Sequence, residues 1–224
     1  MLYQERPWIL FDCDGLIFDS ESAAFEAWSS VYKDYGFELQ LKDWILCVGS
    51  GPGNAGFNPA EGLRKLVSNK DKSLLPSKPN AFLDIKEKRK VAICSQMPLL
   101  PGVEELLKKI KLDKKNAGVV SSSPVDWVKP HLDRLGISGY FEFVVTRSDL
   151  KPGQKSKPAP DFYLLGVDAA SCYPSQALVL EDSARGVEAA KEAGAACIAV
   201  PNPITKISRF DHADCQLNSL TELL

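Results

Sequence analysis

The chain has 224 residues, of which 45% are hydrophobic and 25% charged, a composition that fits an ordinary soluble globular protein of one large domain or one core with an inserted subdomain. A formal net charge of -2 and a pI near 5.8 argue against nucleic acid as the main partner, which calls for a basic surface. No apolar run approaches the length of a membrane span, two histidines make a His-built zinc site unexpected, and six cysteines with no CxxC pair read as free thiols. The first candidate strand lies so close to the N-terminus that no cleavable leader is expected, and the setting reads as reducing and cytoplasmic.

The apolar run Trp8 to Phe11 reads as a buried strand. Asp12, Cys13, Asp14 and Gly15 follow it. Residues i and i+2 of an extended chain point to the same side, so Asp12 and Asp14 are expected to bring two carboxylates into one small space. There they need a cation between them or a shared proton. Gly15 lets the backbone turn sharply. By themselves these residues read equally as a strand closed by an ordinary Asp-Gly turn.

Asp19-Ser20-Glu21 is a helix start, and Ala24, Ala27, Trp28, Val31 and Tyr35 recur at helical spacing until Gly36. Residues 41–48 are apolar and ambiguous between helix and strand, and 49–56 are glycine-rich. Asn58-Pro59-Ala60-Glu61 reads as an N-cap, a first-turn proline and a capping glutamate. Helices are expected over 59–69 and 79–96. The lysine-rich patches at 86–90 and 108–115 read as solvated helix faces. After Pro101-Gly102, Val103, Leu106, Leu107 and Ile110 form one helical face, with Glu104–Lys108 and Glu105–Lys109 as pairs in the favoured order. Strands at 117–120, 141–145, 177–180 and 196–200, the last of them final, then alternate with helices at 125–135, 160–167 and 184–193. Such alternation implies a parallel sheet with right-handed crossovers. The fold class is therefore α/β, a Rossmann-like core of residues 1–19 and 99–224 with a helical cap, 20–98, inserted after the first strand.

Ligands of open parallel sheets sit beyond the carboxyl ends of the strands. The polar residues there are Asp12 and Asp14, then Ser121, Ser122 and Ser123, then Lys157 before Pro158 and Asp161, then Glu181, Asp182 and Ser183. Each group has a local reading, as helix cap or surface lysine. In this order along one edge they are expected to form a single site.

Those stretches, FDCDGLIFDS at 11–20, VVSSSP at 119–124, KPAPDFY at 157–163 and LVLEDSARGVEAAKEAG at 178–194, resemble the haloacid dehalogenase-like hydrolase superfamily. The likeness is to its phosphatase and beta-phosphoglucomutase-like subfamily with a small helical cap, and LPGVEELL at 100–107 is similar to the family's return into the core. The resemblance implies that Asp12 is a nucleophile forming an aspartyl-phosphate and Asp14 the general acid and base. It implies that Ser121 grips a phosphate oxygen and that Lys157 balances charge; Ser122 and, from its location in the cap, Asn54 are taken as further substrate contacts. Mg2+ would be held by Asp12, the Asp14 backbone carbonyl, Glu181 and Asp182, an all-oxygen set suited to that ion. The second aspartate disfavours dehalogenation.

In the cap the chain departs from the mutase pattern. Ala24 stands where mutases carry a histidine, and residues 44–57 contain no arginine or lysine to hold a second phosphate. Hydrolysis of a small phosphorylated metabolite, a sugar phosphate by default, is expected, with phosphosugar mutase as the alternative. A loop at 147–156 longer than usual makes Lys155 a rival to Lys157, though Pro158 and Asp161 favour the latter. Residues 51–56 spell GxGxxG, but they precede no immediate helix and lie in the insert, so a dinucleotide site is not expected. A non-catalytic binding role finds no support in the intact motifs. Glu21, Trp28, Ser50, Asn54 and Arg64 are the candidates for choosing the substrate, and a monomer is expected.

Overall fold

The computed structural model of the chain describes residues 2–47 and 57–224. Six parallel strands among them form one sheet in the order β3-β2-β1-β4-β5-β6. They are β1 Trp8–Phe11, β2 Asn116–Val120, β3 Phe143–Val145, β4 Ala177–Glu181, β5 Ala196–Ala199 and β6 Cys215–Gln216. β1 lies at the centre, with Trp8 to Phe11 in register with Asn116 to Val119 on one side and Ala177 to Leu180 on the other. The sheet extends one strand beyond the sequence reading. β6 is two exposed residues paired to Ile198 and Ala199, too short and too polar to register as an apolar run.

Helices α1 Leu2–Glu5, α2 Ser20–Asp34, α3 Leu41–Trp44, α4 Pro59–Lys70, α5 Ala81–Cys94, α6 Val103–Leu112, α7 Val125–Arg134, α8 Asp161–Ala169 and α9 Ala184–Glu192 complete the regular structure. Strand periodicity sorts the sheet's side chains. Ile9 and Phe11 face the layer that includes Val103, Leu106, Leu107 and Ile110 of α6 and Val128 and Leu132 of α7. Leu10 faces the opposite layer with Phe162 and Val167 of α8 and Val187 and Ala190 of α9. On α6 the pair Lys108–Glu104 forms at 2.5 Å, but Lys109 turns to Asp113 at 3.2 Å instead of Glu105.

Between β1 and β2 the chain makes a helical excursion. Asp19 caps α2 by accepting from the Ser22 N–H at 3.0 Å, and Asn58 caps α4 by accepting from Ala60 and Glu61 ahead of Pro59 in the first turn. The ambiguous 41–48 stretch is helical, as α3 followed by a 3-10 turn at Ile45–Cys47. Val48 and the glycine-rich 49–56, with Ser50 and Asn54, lie outside the described residues. Trp28, Val31, Tyr32, Leu63, Val67 and Phe82 build a hydrophobic cluster of their own, which Ile204 of the loop after β5 joins. Where the excursion ends, the Leu100 N–H donates to the Ile17 carbonyl at 2.9 Å. Among the described residues no helix is long and apolar enough to cross a membrane, and Cys13, Cys94, Cys172, Cys197 and Cys215 are free.

Candidate active site

At the end of β1 the Asp12 N–H donates to Leu180 at 3.0 Å, which carries the strand ladder one residue further and fixes the carboxylate's origin. Gly15 then turns the chain at a φ of 82°. A Cβ there would run into the Asp182 carboxylate and lie 2.6 Å from Asn202 Nδ2, so both the backbone angle and the close approach call for glycine.

Lys157 is buried at 3% exposure, and its ammonium donates to Asp12 Oδ1 at 2.5 Å and Glu181 Oε1 at 2.6 Å. It also donates to Tyr163 Oη at 3.0 Å and the Val120 carbonyl at 3.3 Å. Glu181 Oε1 accepts in addition from Tyr163 at 2.7 Å, while Oε2 accepts from the Ser183 N–H and hydroxyl, each at 3.1 Å. Ser183 in turn caps α9 by accepting from Gly186. A Cβ on Gly186 would overlap the Glu181 carboxylate. Asp182 accepts from Asn202 Nδ2 at 2.7 Å, and the same Nδ2 reaches the Gly15 carbonyl at 3.1 Å. Asn202 is locked by accepting the N–H groups of Ile204 and Thr205.

Asp12, Glu181 and Asp182 are all buried, and each offers an oxygen within 4.8 Å of the others. Against these three carboxylates stands one ammonium. Burial pushes the Asp12 carboxyl well above its usual range; Lys157 pulls it back and the Glu181 charge pushes it further. Burial and then the charges of Glu181 and Asp12 push Asp182 up as well. For Lys157 burial works against the charge, but Asp12 and Glu181 outweigh it and hold the ammonium above its ordinary value. A buried surplus of negative charge on hard oxygen donors is what a divalent cation such as Mg2+ offsets, so the donor set fits one.

Asp14 has other partners. Its Oδ1 accepts from Ser20 Oγ at 2.7 Å and Trp127 Nε1 at 2.9 Å, and its Oδ2 from Ser123 Oγ at 2.6 Å, with Ser121 Oγ at 3.5 Å. Burial alone would raise this carboxyl, yet Lys90 and the three close donors together hold it below its usual value. The two aspartates thus have separate hydrogen-bond partners, while the Asp14 charge adds to what pushes the Asp12 carboxyl up. β1 stops at Phe11, Asp14 already belongs to the turn that bridges to Phe18, and its side chain is claimed by the 121–127 segment.

Ser121 ends β2 with its N–H on the Val145 carbonyl at 2.9 Å, and its hydroxyl accepts from the Ser123 N–H at 3.0 Å. Ser122 Oγ is shut off from solvent and has no hydrogen-bond partner among the described residues, the kind of buried polar group that a bound water or ligand satisfies. Lys155 is exposed, so Lys157 alone enters the cluster. Of the described residues expected to choose the substrate, Glu21 lies beside Asp14. Burial pushes its carboxyl up to about 7, opposed by Lys90 and helped by Asp14. Trp28 is buried in the excursion's own cluster, and Arg64 is spent on the Pro79 carbonyl at 2.6 Å and the Phe82 ring.

Four participants escaped sequence reasoning. Tyr163 closes the KPAPDFY stretch, but its place in the helical period gives its hydroxyl no role. Asn202 lies just past the end of β5, where the strand-end rule that found the others also points. Trp127 stands in the first turn after the serine run. Lys90 belongs to a patch read as solvated, yet its Nζ lies 4.0 Å from the Trp127 ring centroid, and nothing in the sequence marks it.

A family model described as haloacid dehalogenase-like hydrolase matches residues 9–200. YhcW of Bacillus subtilis is 33% identical over 217 residues, covering 96% of this chain and 92% of that protein. The "Phosphorylated carbohydrates phosphatase" of Thermotoga maritima is 30% identical over 188 residues, 83% of this chain and 81% of its own length. The crystal structure of CbbY from Rhodobacter sphaeroides in complex with phosphate superposes with a TM-score of 0.71 at 25% identity, covering 97% of this chain and 96% of that one.

Proposed function

Because the chain belongs to the haloacid dehalogenase-like hydrolases, we propose that it is a Mg2+-dependent phosphatase of small phosphorylated carbohydrates that works through an aspartyl-phosphate. The observation that carries this reading is the Lys157 ammonium held between Asp12 and Glu181 inside a cluster of three buried carboxylates. Such a cluster is costly to maintain for stability alone, and it suits a phosphoryl group whose charge must be met at the moment of transfer.

Asp12 attacks phosphorus as the bond to the leaving oxygen breaks, and Asp14 gives that oxygen a proton. Water then attacks phosphorus, passes a proton to Asp14 and restores the free Asp12 carboxylate, releasing inorganic phosphate. Lys157 stays charged throughout and balances Asp12 and the transferred group. Ser121 and Ser122 receive the phosphoryl oxygens. Mg2+, held by Asp12, Glu181, Asp182 and the Asp14 backbone carbonyl, would supply charge neutralisation and polarise the phosphoryl group. Residues 1–19 and 99–224 are the catalytic core in this reading, and 20–98 the cap that chooses the leaving group. A carbohydrate substrate draws support from what the Thermotoga relative is named for. Ala24, buried and apolar, gives a mutase no titratable group at the position where that chemistry wants one.

Phosphate release from a panel of sugar phosphates, with and without Mg2+, tests the reading. Turnover is expected only with the metal, and Asp12→Asn is expected to keep its circular dichroism while losing about a thousandfold or more of the rate. A variant within about tenfold of the parent would overturn it.

A further inference from the structure

Asp14 is held by three donors that differ in kind. The hydroxyls of Ser20 and Ser123 can give or accept a hydrogen, but the Trp127 indole nitrogen only gives. While the 2.9 Å bond from Trp127 Nε1 stands, Asp14 Oδ1 must act as an acceptor towards it. The other oxygen, Oδ2, lies 2.6 Å from Ser123 Oγ and 3.5 Å from Ser121 Oγ, on the side of the serine run that the phosphatase reading gives to the phosphoryl group. We infer that Trp127 is a positioning residue for Asp14, its indole N–H fixing the carboxylate so that Oδ2 is the oxygen that hands a proton to the leaving group. This rests on the phosphatase reading above.

The indole itself is immobilised. Its backbone N–H donates to Pro124 at 3.0 Å in the first turn of α7, which ties it to the end of β2. The Lys90 ammonium covers the ring at 4.0 Å, the His131 ring meets it edge-on at 4.3 Å, and the Phe18 ring lies 6.3 Å away. Phe18 and His131 are stacked on each other at 4.7 Å. The ring is therefore clamped between the β1 loop, α7 and the last turns of α5, with its N–H edge towards Asp14. A carboxylate turns easily about its terminal torsion, which has broad two-fold minima, and an irreversible donor is an economical way to select one of them.

The test compares Trp127→Phe with the parent on two esters, the best sugar phosphate of the panel and p-nitrophenyl phosphate, both with Mg2+. Nitrophenolate departs without a proton, whereas the sugar oxygen needs one, and kcat/KM reports events up to the first irreversible step. In Trp127→Phe, kcat/KM is expected to fall about tenfold or more on the sugar phosphate and to stay within about twofold on the nitrophenyl ester. Asp14→Asn should show the same selectivity, more deeply. Equal losses on both esters, or none on either, would overturn the assignment to Trp127. Absence of turnover of either ester by the parent would instead sink the phosphatase reading and the role of Oδ2 with it. Should Trp127→Phe fail to fold, the 15N indole spectrum decides. Of the four tryptophans, one N–H resonance is expected to move between the parent and Asp14→Asn, and a spectrum in which none moves would overturn the contact.

Discussion

At Lys157 one ammonium answers for Asp12 and Glu181 together, so its loss would leave two buried carboxylates without their counter-charge. Lys157→Met is expected to destabilise the metal-free protein by about 3–5 kcal/mol in urea denaturation, the usual cost of stripping one partner from a buried ion pair, and Mg2+ should restore part of it. Glu21 shows the opposite balance. Its carboxyl is pushed up to about 7 from an ordinary 4.5, by burial first. A raised value in the folded state means that its contribution to stability is complete below about 4.5 and lost as the pH climbs through 7. Glu21→Gln, which stays neutral, should therefore gain about 1 kcal/mol over the parent at pH 8 and nothing at pH 4, after allowing for a side chain that keeps some contact with solvent. Thermal melts at the two pH values check it. Asp12, Ser121 and Asp182 could be picked out of the sequence because each sits beside a strand end that an apolar run announces, and Lys157, a loop beyond β3, because of the Pro158 and Asp161 that follow it. Asn202 stands at such a strand end too, but its pairing with Gly15 across 187 positions, like that of Trp127 with Asp14 across 113, exists only through space. No local pattern encodes such pairs.

Among the elements, α9 ties its own capping to the site. Gly186 lies in its first turns, where replacing glycine by alanine ordinarily stabilises a helix by about 0.5–1 kcal/mol. Here the added Cβ would overlap Glu181, and Glu181 cannot step aside without breaking its bonds to Lys157, Tyr163 and Ser183. The clash decides the sign: Gly186→Ala should cost about 1–3 kcal/mol and lower turnover with it, measured by denaturation and phosphate release. The central strands of the core were legible as short continuous apolar runs, buried on both faces, and the helices α2, α4, α6, α7, α8 and α9 because their burial follows the period of 3.6. β6 was not, being two exposed residues whose pairing is dictated by β5. Nor was the choice of Lys109 between Glu105 and Asp113, since two acids at helical spacing compete for it and the end of α6 settles which one it meets.

For the whole molecule, the surplus of buried charge predicts how a metal and pH act together. Mg2+ at about a hundred times its dissociation constant should add about 2.7 kcal/mol of stability. Asp12 and Asp182 have raised values, so acidification protonates them in the folded state and leaves fewer anions for the cation. The gain in melting temperature is therefore expected to be largest at pH 8 and to shrink towards pH 5, and a constant gain would mean that the ion binds elsewhere. The same molecule-wide view gives meaning to the bond between Leu100 and Ile17. The outgoing and returning strands of the helical excursion pass through a single doorway, beside two strands, β1 and β2, that are already neighbours. Closing such a loop costs little more when it is lengthened, about 0.6 kcal/mol per doubling. Helices spliced in from a relative, longer or shorter, would leave the pairing from Trp8–Asn116 to Phe11–Val119 untouched. In the proposed reading selectivity is exchanged as a cassette at the doorway, with Ser20 and Lys90 as the two groups the incoming helices must reproduce to hold Asp14 and Trp127 in place.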